Sequence, residues 1–91
     1  MSKLLHLNIT ISGRVQGVGF RYNTKIQAQK FNLTGFVQNL ENSTVYIEVE
    51  GEKEKLSRFL DWCKTGPKFS KVEKVISKKN KIQNFSDFKI L

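Results

Sequence analysis

The residues with the clearest chemical potential lie in one glycine-rich segment, Gly13-Arg-Val-Gln-Gly-Val-Gly-Phe-Arg21. Glycine adopts positive φ at little steric cost, so Gly17 and Gly19 allow several backbone amides to turn inward together. Amides that converge near a helix N-terminus form a concave anion site, which the helix dipole reinforces. Arg21 would enter the first helical turn, where its planar guanidinium can bind two phosphate oxygens. The pattern predicts an oxyanion site of phosphate size, and a structural glycine turn with an exposed arginine stays an equal alternative.

The rest of the sequence offers little other chemistry. The single histidine and the single cysteine, His6 and Cys63, lie far apart and cannot form a histidine–cysteine zinc cluster. No pair of carboxylates lies near the glycine-rich segment, and neither the nucleoside-triphosphate loop nor the dinucleotide glycine spacing occurs. His6 falls on the polar face of the first strand, so we predict a surface residue and not a catalytic one.

The hydrophobic pattern predicts the elements that must position this segment. Residues 4–12 alternate between apolar and polar side chains, which is typical of a strand covered on one face. Apolar residues at helical spacing predict two helices, and alternation elsewhere predicts the remaining strands. The predicted order is a strand at 4–12, a helix at 20–31, strands at 35–40 and 45–50, a helix at 52–64, and strands at 72–77 and 85–91.

Two strand–helix–strand crossovers in this order predict a ferredoxin-like sandwich, an α+β fold with an antiparallel sheet and two helices on one face. Ninety-one residues suffice for one core, so we expect a single domain over residues 1–91. In this topology the end of the strand at 35–40 comes to the same end of the sheet as the glycine-rich segment. Asn39 is then expected to face that segment.

The protein is basic, with a formal net charge of +8 that is concentrated towards its C-terminal end. Residues 64–91 carry eight lysines against Glu73 and Asp87. A solvated lysine face is favoured over an anion-steering patch by about two to one. A lone cysteine suits a reducing compartment, and the sequence has neither a secretory leader nor an apolar run long enough for a bilayer. We therefore expect a cytoplasmic protein with no membrane contact.

Two motifs resemble those of the acylphosphatase family. Gly13-x-Val15-Gln16-Gly17-Val18-x-Phe20-Arg21 is similar to the first motif of that family, and Gly35-Phe-Val-Gln-Asn39 is similar to its second motif. Similar residues continue along essentially the whole chain, from Leu33-Thr34 through Gly66-Pro67 to Phe85-Ser-Asp-Phe88. The first motif is specific because eight or nine consecutive positions agree.

The resemblance implies a ferredoxin-like fold and the hydrolysis of acyl phosphates without a metal ion or other cofactor. It implies that Arg21 and Asn39 are catalytic, with Asn39 orienting the attacking water. It also implies a phosphate-binding loop that consists of Gln16, Gly17, Val18, Gly19, Phe20 and Arg21. Without the resemblance, Asn39 would be read as a residue that caps its own hairpin turn. We expect a small acyl phosphate as substrate, inorganic phosphate or a similar anion in the site, and a monomer.

Three side-chain expectations accompany this assignment. The side chain of Gln16 should matter less than its backbone amide, and Phe20 and Tyr22 should pack beneath the loop without touching the substrate. Ser43 stands where many family members have glycine. If that position needs a left-handed backbone, serine costs about 1–2 kcal/mol there, unless Asn42 adopts the conformation instead.

Two alternative functions remain open from the sequence. A basic ferredoxin-like domain can bind RNA, but the strand at 45–50 carries Glu48 and Glu50 on its predicted open face, which disfavours a polyanion. The second alternative is a phosphate-binding module of a larger carbamoyl-phosphate-processing enzyme. Such chains are much longer and carry cysteine-rich zinc modules, so we favour a free-standing enzyme.

Overall fold

The computed structural model describes residues 3–91, which form a five-stranded sheet and two helices. The helices and strands fall close to their predicted positions, and the largest differences lie after residue 70. In chain order they are β1 (Leu4–Arg14), α1 (Phe20–Lys30), β2 (Thr34–Asn39), β3 (Val45–Glu52), α2 (Lys53–Thr65), β4 (Lys71–Asn80) and β5 (Phe88–Ile90). Strand β4 is longer than predicted, and the predicted strand at 85–91 shortens to three residues.

The strands are ordered β4-β1-β3-β2-β5 in one sheet. Strand β1 pairs antiparallel with β3 and β4, and β2 pairs antiparallel with β3, as the ferredoxin-like prediction requires. The ferredoxin-like fold is thus confirmed, but strand β5 runs parallel to β2, so the sheet is mixed where an antiparallel sheet was predicted. The chain leaves β4 at one edge and crosses to the opposite edge before β5 begins, and β5 therefore starts from the same end as β2.

Both helices pack against one face of the sheet, where the alternating apolar residues of the strands point. Ile9 pairs with Ile47 across the central strands, Ile11 pairs with Val45, and all four are fully buried. Helix α2 contributes Leu56, Phe59 and Cys63, and helix α1 contributes Phe20 and Ala28. Burying each large aliphatic or aromatic side chain favours folding by about 1.5–3 kcal/mol. The helical and strand periodicities of the sequence therefore converge on one core.

The opposite face of the sheet is partly covered by residues 81–87, and this buries His6. The prediction that His6 lies on the surface is wrong, because only 1% of the residue is exposed. Its ring contacts Glu50 Oε2 through Nδ1 at 2.8 Å and Glu48 Oε1 through Nε2 at 3.0 Å. The Phe85 ring lies 5.7 Å from the imidazole ring. The polar face of β1 is therefore buried where residues 81–87 cross it.

Glu50 holds the crossing segment to the sheet. Its carboxylate accepts hydrogen bonds from the backbone N–H groups of Gln83 and Phe85 and from the His6 ring. Burial acts to raise the pKa of Glu50, but the Gln83 amide, the His6 hydrogen bond and the Phe85 amide outweigh it and lower the pKa below its ordinary value of 4.5. The charged carboxylate is therefore the form that the folded state prefers.

We predict that Glu50→Gln destabilises the protein in a pH-dependent way. A group whose pKa is lowered by folding contributes stability above its unfolded pKa, and that stability is lost as the pH falls through the folded pKa. At pH 7 the free energy of unfolding should fall by about 2 kcal/mol, the value of hydrogen bonds to a charged acceptor. The difference from wild type should close as the pH falls below about 4.5. Urea denaturation at several pH values measures this difference in the free energy of unfolding.

Glu54→Gln is the matched control, because the side chain of Glu54 is 82% exposed. This variant should differ little from wild type at every pH. A stability difference for Glu50→Gln that stays constant between pH 7 and pH 3 would contradict the role assigned to the carboxylate.

The β2–β3 hairpin turns through a strained residue, Ser43. Its φ is 71°, which lies in the left-handed region. Asn42 does not take this conformation, so that alternative is wrong; its side-chain oxygen accepts hydrogen bonds from the backbone N–H and the hydroxyl of Thr44. The turn keeps the shape that a glycine would favour, with Ser43 carrying the cost.

We predict that Ser43→Gly stabilises the protein by about 1 kcal/mol, since glycine adopts this φ without the steric cost of a Cβ atom. Chemical denaturation with an unchanged m value would measure the gain. Ser57→Gly is the control: Ser57 is exposed within α2, where glycine should cost about 0.5–1 kcal/mol. Destabilisation by Ser43→Gly would show that the serine side chain compensates for its backbone strain.

The two edges of the sheet differ in length and charge. Strand β4 forms one edge and bears Lys71, Lys74, Lys78 and Lys79, and the three-residue β5 forms the other. Much of the lysine excess thus lies along an exposed edge strand. Neither helix of residues 3–91 has the length and apolar character needed to span a membrane.

Candidate active site

Strands β1 and β2 both end at the same end of the sheet, although they are not neighbours. Strand β3 lies between them and runs antiparallel to each, so β1 and β2 point the same way. The glycine-rich loop leaves the end of β1, and Asn39 is the last residue of β2. The topology therefore brings Asn39 to the loop across the width of one intervening strand, as the sequence predicted.

The loop conformation depends on two glycines with positive φ. Gly17 has φ 74° and Gly19 has φ 77°, values that side-chain-bearing residues rarely adopt. Gly19 is the N-cap of α1 and makes no side-chain capping hydrogen bond. The first amide groups of a helix have no intrahelical acceptor, so the N–H groups of Phe20, Arg21 and Tyr22 stay free for a ligand. No acidic residue lies in this first turn.

Phe20 fixes the start of the helix from below. Its side chain is 2% exposed, and its ring lies 5.5 Å from that of Trp62 in α2. The prediction that Phe20 packs beneath the loop is therefore confirmed, although the residue also lines the cavity described below. The loop rests on an aromatic contact between the two helices, which limits how far its amides can shift.

The Gln16 side chain ties the loop to the β2–β3 hairpin. Its amide nitrogen donates to the carbonyl oxygens of Leu40 at 2.8 Å and Thr44 at 2.9 Å. Leu40 directly follows Asn39, so this contact sets the distance between the loop and the candidate catalytic asparagine. The type of residue alone does not reveal these partners, which lie 24 and 28 residues away, and the greater importance of the Gln16 backbone amide stays a prediction.

Arg21 is exposed in the first turn of α1, and Leu91 orients its guanidinium. Its Nη1 donates to the backbone oxygen of Leu91 at 3.0 Å. The Leu91 N–H in turn donates to Val37 O at 2.8 Å, which extends the pairing of β5 with β2. Within residues 3–91, no Asp or Glu side chain forms an ion pair with Arg21. Its charge is therefore available to an anion.

Asn39 presents an unsatisfied acceptor. Among the residues that the structure describes, its Oδ1 is buried and accepts no hydrogen bond. An orphaned buried acceptor costs about 1–3 kcal/mol, so such groups usually meet a water or a ligand. The predicted alternative role, capping of its own hairpin turn, belongs instead to Asn42.

One cavity of about 290 Å³ joins the predicted site residues. Its volume is at the small end of the range of roughly 300–1,000 Å³ that is typical of ligand sites. It is lined by Val15, Gly17, Gly19, Phe20, Arg21, Tyr22, Asn39 and Ile90. Gln16 and Val18 are the predicted site residues that do not line it; Gln16 turns to the hairpin, and Val18 packs against the core.

Three lining residues were not predicted from the sequence. Val15 follows β1 directly, and its burial could have been inferred from the alternation of that strand. Ile90 reaches the site only because β5 pairs with β2, and no local pattern signals that pairing. Tyr22 was expected to pack beneath the loop, but it is 65% exposed and borders the cavity, so that prediction is wrong.

Comparison with known proteins gives a consistent result. The acylphosphatase family model matches residues 7–90. An acylphosphatase from Acaryochloris marina is 38% identical over 91 residues, which cover 100% of this chain and 98% of that protein. The crystal structure of acylphosphatase from Bacillus subtilis superimposes with a TM-score of 0.94 at 36% identity, covering 96% of this chain and 98% of that one.

A larger protein contains a similar unit. The crystal structure of full-length HypF in the phosphate- and nucleotide-bound form matches all of this chain, with a TM-score of 0.93 and 37% identity. The match covers 12% of the HypF chain.

The fold and the site define a ferredoxin-like α+β protein with a loop-and-helix site at one end of its sheet. The chain belongs to the acylphosphatase family. It is a hydrolase that acts on acyl phosphates, the mixed anhydrides of a carboxylic acid and phosphoric acid.

We predict that Gln16→Ala lowers kcat/KM by about 10- to 100-fold, because displacement of a positioned group by 1 Å can cost that much. Gln16→Glu should be worse, since a carboxylate repels the two carbonyl oxygens that the amide now binds. Gln29→Ala, an exposed change within α1, is the control and should leave kcat/KM unchanged. Full activity in Gln16→Ala, measured where circular dichroism shows a folded protein, would contradict this positioning role.

Proposed function

We propose that the protein hydrolyses acyl phosphates by holding the phosphate in the loop from Gln16 to Arg21 and orienting water with Asn39. In this mechanism the free amides at the start of α1 and the guanidinium of Arg21 bind the phosphoryl oxygens. They neutralise charge where it is concentrated in the transition state. Gly17 and Gly19 supply the backbone conformation, and the Val18 and Phe20 side chains stabilise it from within the core.

The observation that carries the proposal is the buried oxygen of Asn39, which has no hydrogen-bond partner within residues 3–91 and lies in the wall of the same cavity as Arg21. A carboxamide can accept a hydrogen bond from water through Oδ1 and donate one through Nδ2. Asn39 can therefore hold a water molecule in a fixed direction. The amides at the start of α1 and Arg21 border the same cavity and bind the oxygens of the phosphoryl group that the water attacks.

The reaction needs no strong acid. The water oxygen forms a bond to phosphorus while the bond between phosphorus and the acyl oxygen breaks. The electron pair leaves with the carboxylate, and the proton lost by water passes to the phosphate product or the solvent. The leaving group has a conjugate acid pKa of about 4, so it departs without protonation. Positioning and charge neutralisation account for the catalysis, and the proposed mechanism calls on neither a metal ion nor a cofactor.

The other reactive groups of the chain lie away from the cavity. Cys63 is fully buried in the core, and burial raises the pKa of its thiol, which makes it a poor nucleophile. His6 is enclosed by Glu48 and Glu50 on the opposite face of the sheet. Neither residue lines the cavity, whose polar side chains are those of Arg21, Asn39 and Tyr22.

Features of the structure disfavour the nucleic-acid alternative. An RNA-binding sheet needs its aromatic residues open for stacking. Here Phe36 and Phe85 contact each other edge to face, and the crossing segment lies over the Glu48–Glu50 side of the sheet. The likeness to HypF, whose structure was solved in a phosphate- and nucleotide-bound form, supports a unit that binds phosphate. Because the match to the acylphosphatase from Acaryochloris marina covers 98% of that protein, we propose a free-standing enzyme.

The proposal includes a monomer in the cytoplasm. A free thiol in the core is the chemistry of a reducing compartment. Lysines along β4 and the shortness of β5 deter either edge from pairing with a second copy.

We predict that Arg21→Gln and Asn39→Ala each lower kcat/KM for benzoyl phosphate by at least about 100-fold, as the loss of a transition-state donor does elsewhere. Arg21→Gln should also weaken competitive inhibition by inorganic phosphate, whereas Asn39→Ala should leave that inhibition nearly unchanged. Treatment of the wild type with a chelator should not alter its activity. The rate at which inorganic phosphate is released from benzoyl phosphate measures each of these activities.

Arg58→Gln is the matched control for the arginine, because Arg58 is exposed on α2 and its ion pair in the described part of the chain is with the likewise exposed Glu54. It should retain wild-type kinetics and inhibition. Full activity in Asn39→Ala would refute the water-orienting role, and loss of activity on chelation would refute the metal-free mechanism.

A further inference from the structure

Two large apolar side chains are exposed at the wall of the catalytic cavity. Tyr22, in the first turn of α1, is 65% exposed, and Ile90, in β5, is 40% exposed. Both line the cavity together with Arg21 and Asn39. The Tyr22 hydroxyl has no hydrogen-bond partner within residues 3–91, and the ring does not stack on another aromatic residue there.

The charges around the cavity restrict what these side chains can contact. Arg21 is the one charged side chain among the eight lining residues, and the proposed mechanism uses it for the phosphate. No carboxylate and no lysine lines the wall. A charged acyl group would find no ionic partner at this wall, whereas an apolar acyl group would remove apolar surface of Tyr22 and Ile90 from water. The wall therefore matches an uncharged acyl group.

We propose that Tyr22 and Ile90 form the binding surface for the acyl group and select substrates whose acyl group is apolar, with aromatic and branched aliphatic groups favoured. This inference rests on the proposed function, since it assumes that the phosphoryl group lies at the loop. The phosphate is then common to all substrates, and the apolar wall distinguishes them. Tyr22 offers a flat ring for offset stacking, and Ile90 offers an aliphatic contact.

The position of Tyr22 explains how one residue can act on the acyl group alone. It follows Arg21 directly, so the two side chains leave the same helical turn in different directions, about 100° apart. Arg21 is drawn towards Leu91 by its hydrogen bond, and the Tyr22 ring remains at the rim. Truncation of the Tyr22 ring should therefore change the preference among acyl groups more than the handling of phosphate.

The test compares kcat/KM for benzoyl, acetyl and succinyl phosphates in the full-length protein and its variants. In Tyr22→Ala the ratio of benzoyl to acetyl phosphate should fall about tenfold, or about 1.4 kcal/mol. Ile90→Ala should lower the same ratio by a smaller factor. Tyr22→Phe keeps the ring and should keep the wild-type ratio. Because the benzoyl-to-acetyl ratio of each variant is compared with that of the wild type, differences in the intrinsic reactivity of the substrates cancel.

Leu4→Ala is the control, because Leu4 is also an exposed apolar residue but lies at the opposite end of β1. It should leave the ratio unchanged. A wild-type ratio in Tyr22→Ala, or better hydrolysis of succinyl than of benzoyl phosphate by the wild type, would overturn the acyl-group assignment. Failure to hydrolyse any of the three substrates would instead refute the proposed function, so the two failures are distinguishable.

Discussion

The geometry of the site depends on the side-chain amide of Gln16. This group donates to Leu40 and Thr44 on a hairpin that shares no backbone hydrogen bonds with the loop. The loop leaves one strand and Asn39 ends another, with β3 between them, so the sheet fixes the ends of the two segments but not the gap between them. One amide with two acceptors closes that gap. In the proposed mechanism, the water and the phosphorus stay in line because this contact is short and doubly anchored.

A second set of contacts reaches the site from the far face of the sheet. Glu50 holds the backbone of residues 81–87 as they cross, and this crossing delivers β5 to the edge beside β2. The continuation of β5 places the Leu91 oxygen against Arg21. A buried carboxylate that touches no substrate thus contributes to the orientation of the guanidinium. The two faces of the sheet have separate tasks: the helix face supplies the core, and the other face secures the last strand.

Local pattern was sufficient for much of the fold, and several of the predicted site residues line one cavity. Alternation in β1 and β3 and the periodicity of α2 predicted those elements, and the glycine spacing with the family motifs predicted the loop, Arg21 and Asn39. What the sequence concealed was set by distant contacts. His6 has the pattern of a surface residue and is buried only because a segment about 75 residues later crosses it. The parallel pairing of β5, the side-chain role of Gln16 and the exposure of Tyr22 share that origin, since none is determined within its own stretch of chain.

The uncapped first turn of α1 has a consequence for how this protein can diverge. In the proposed mechanism most of the phosphate is held by main-chain amides, which every residue except proline carries. Substitution at Val18 cannot delete such a donor and can only move it. Selection would then act on backbone shape at Gly17 and Gly19 and on the packing and hydrogen bonds of Gln16 and Phe20, and would constrain the side chain of Val18 less. Sequence variation in this enzyme should therefore accumulate at Tyr22 and Ile90, in the wall of the cavity, sooner than at the loop residues that support the phosphate.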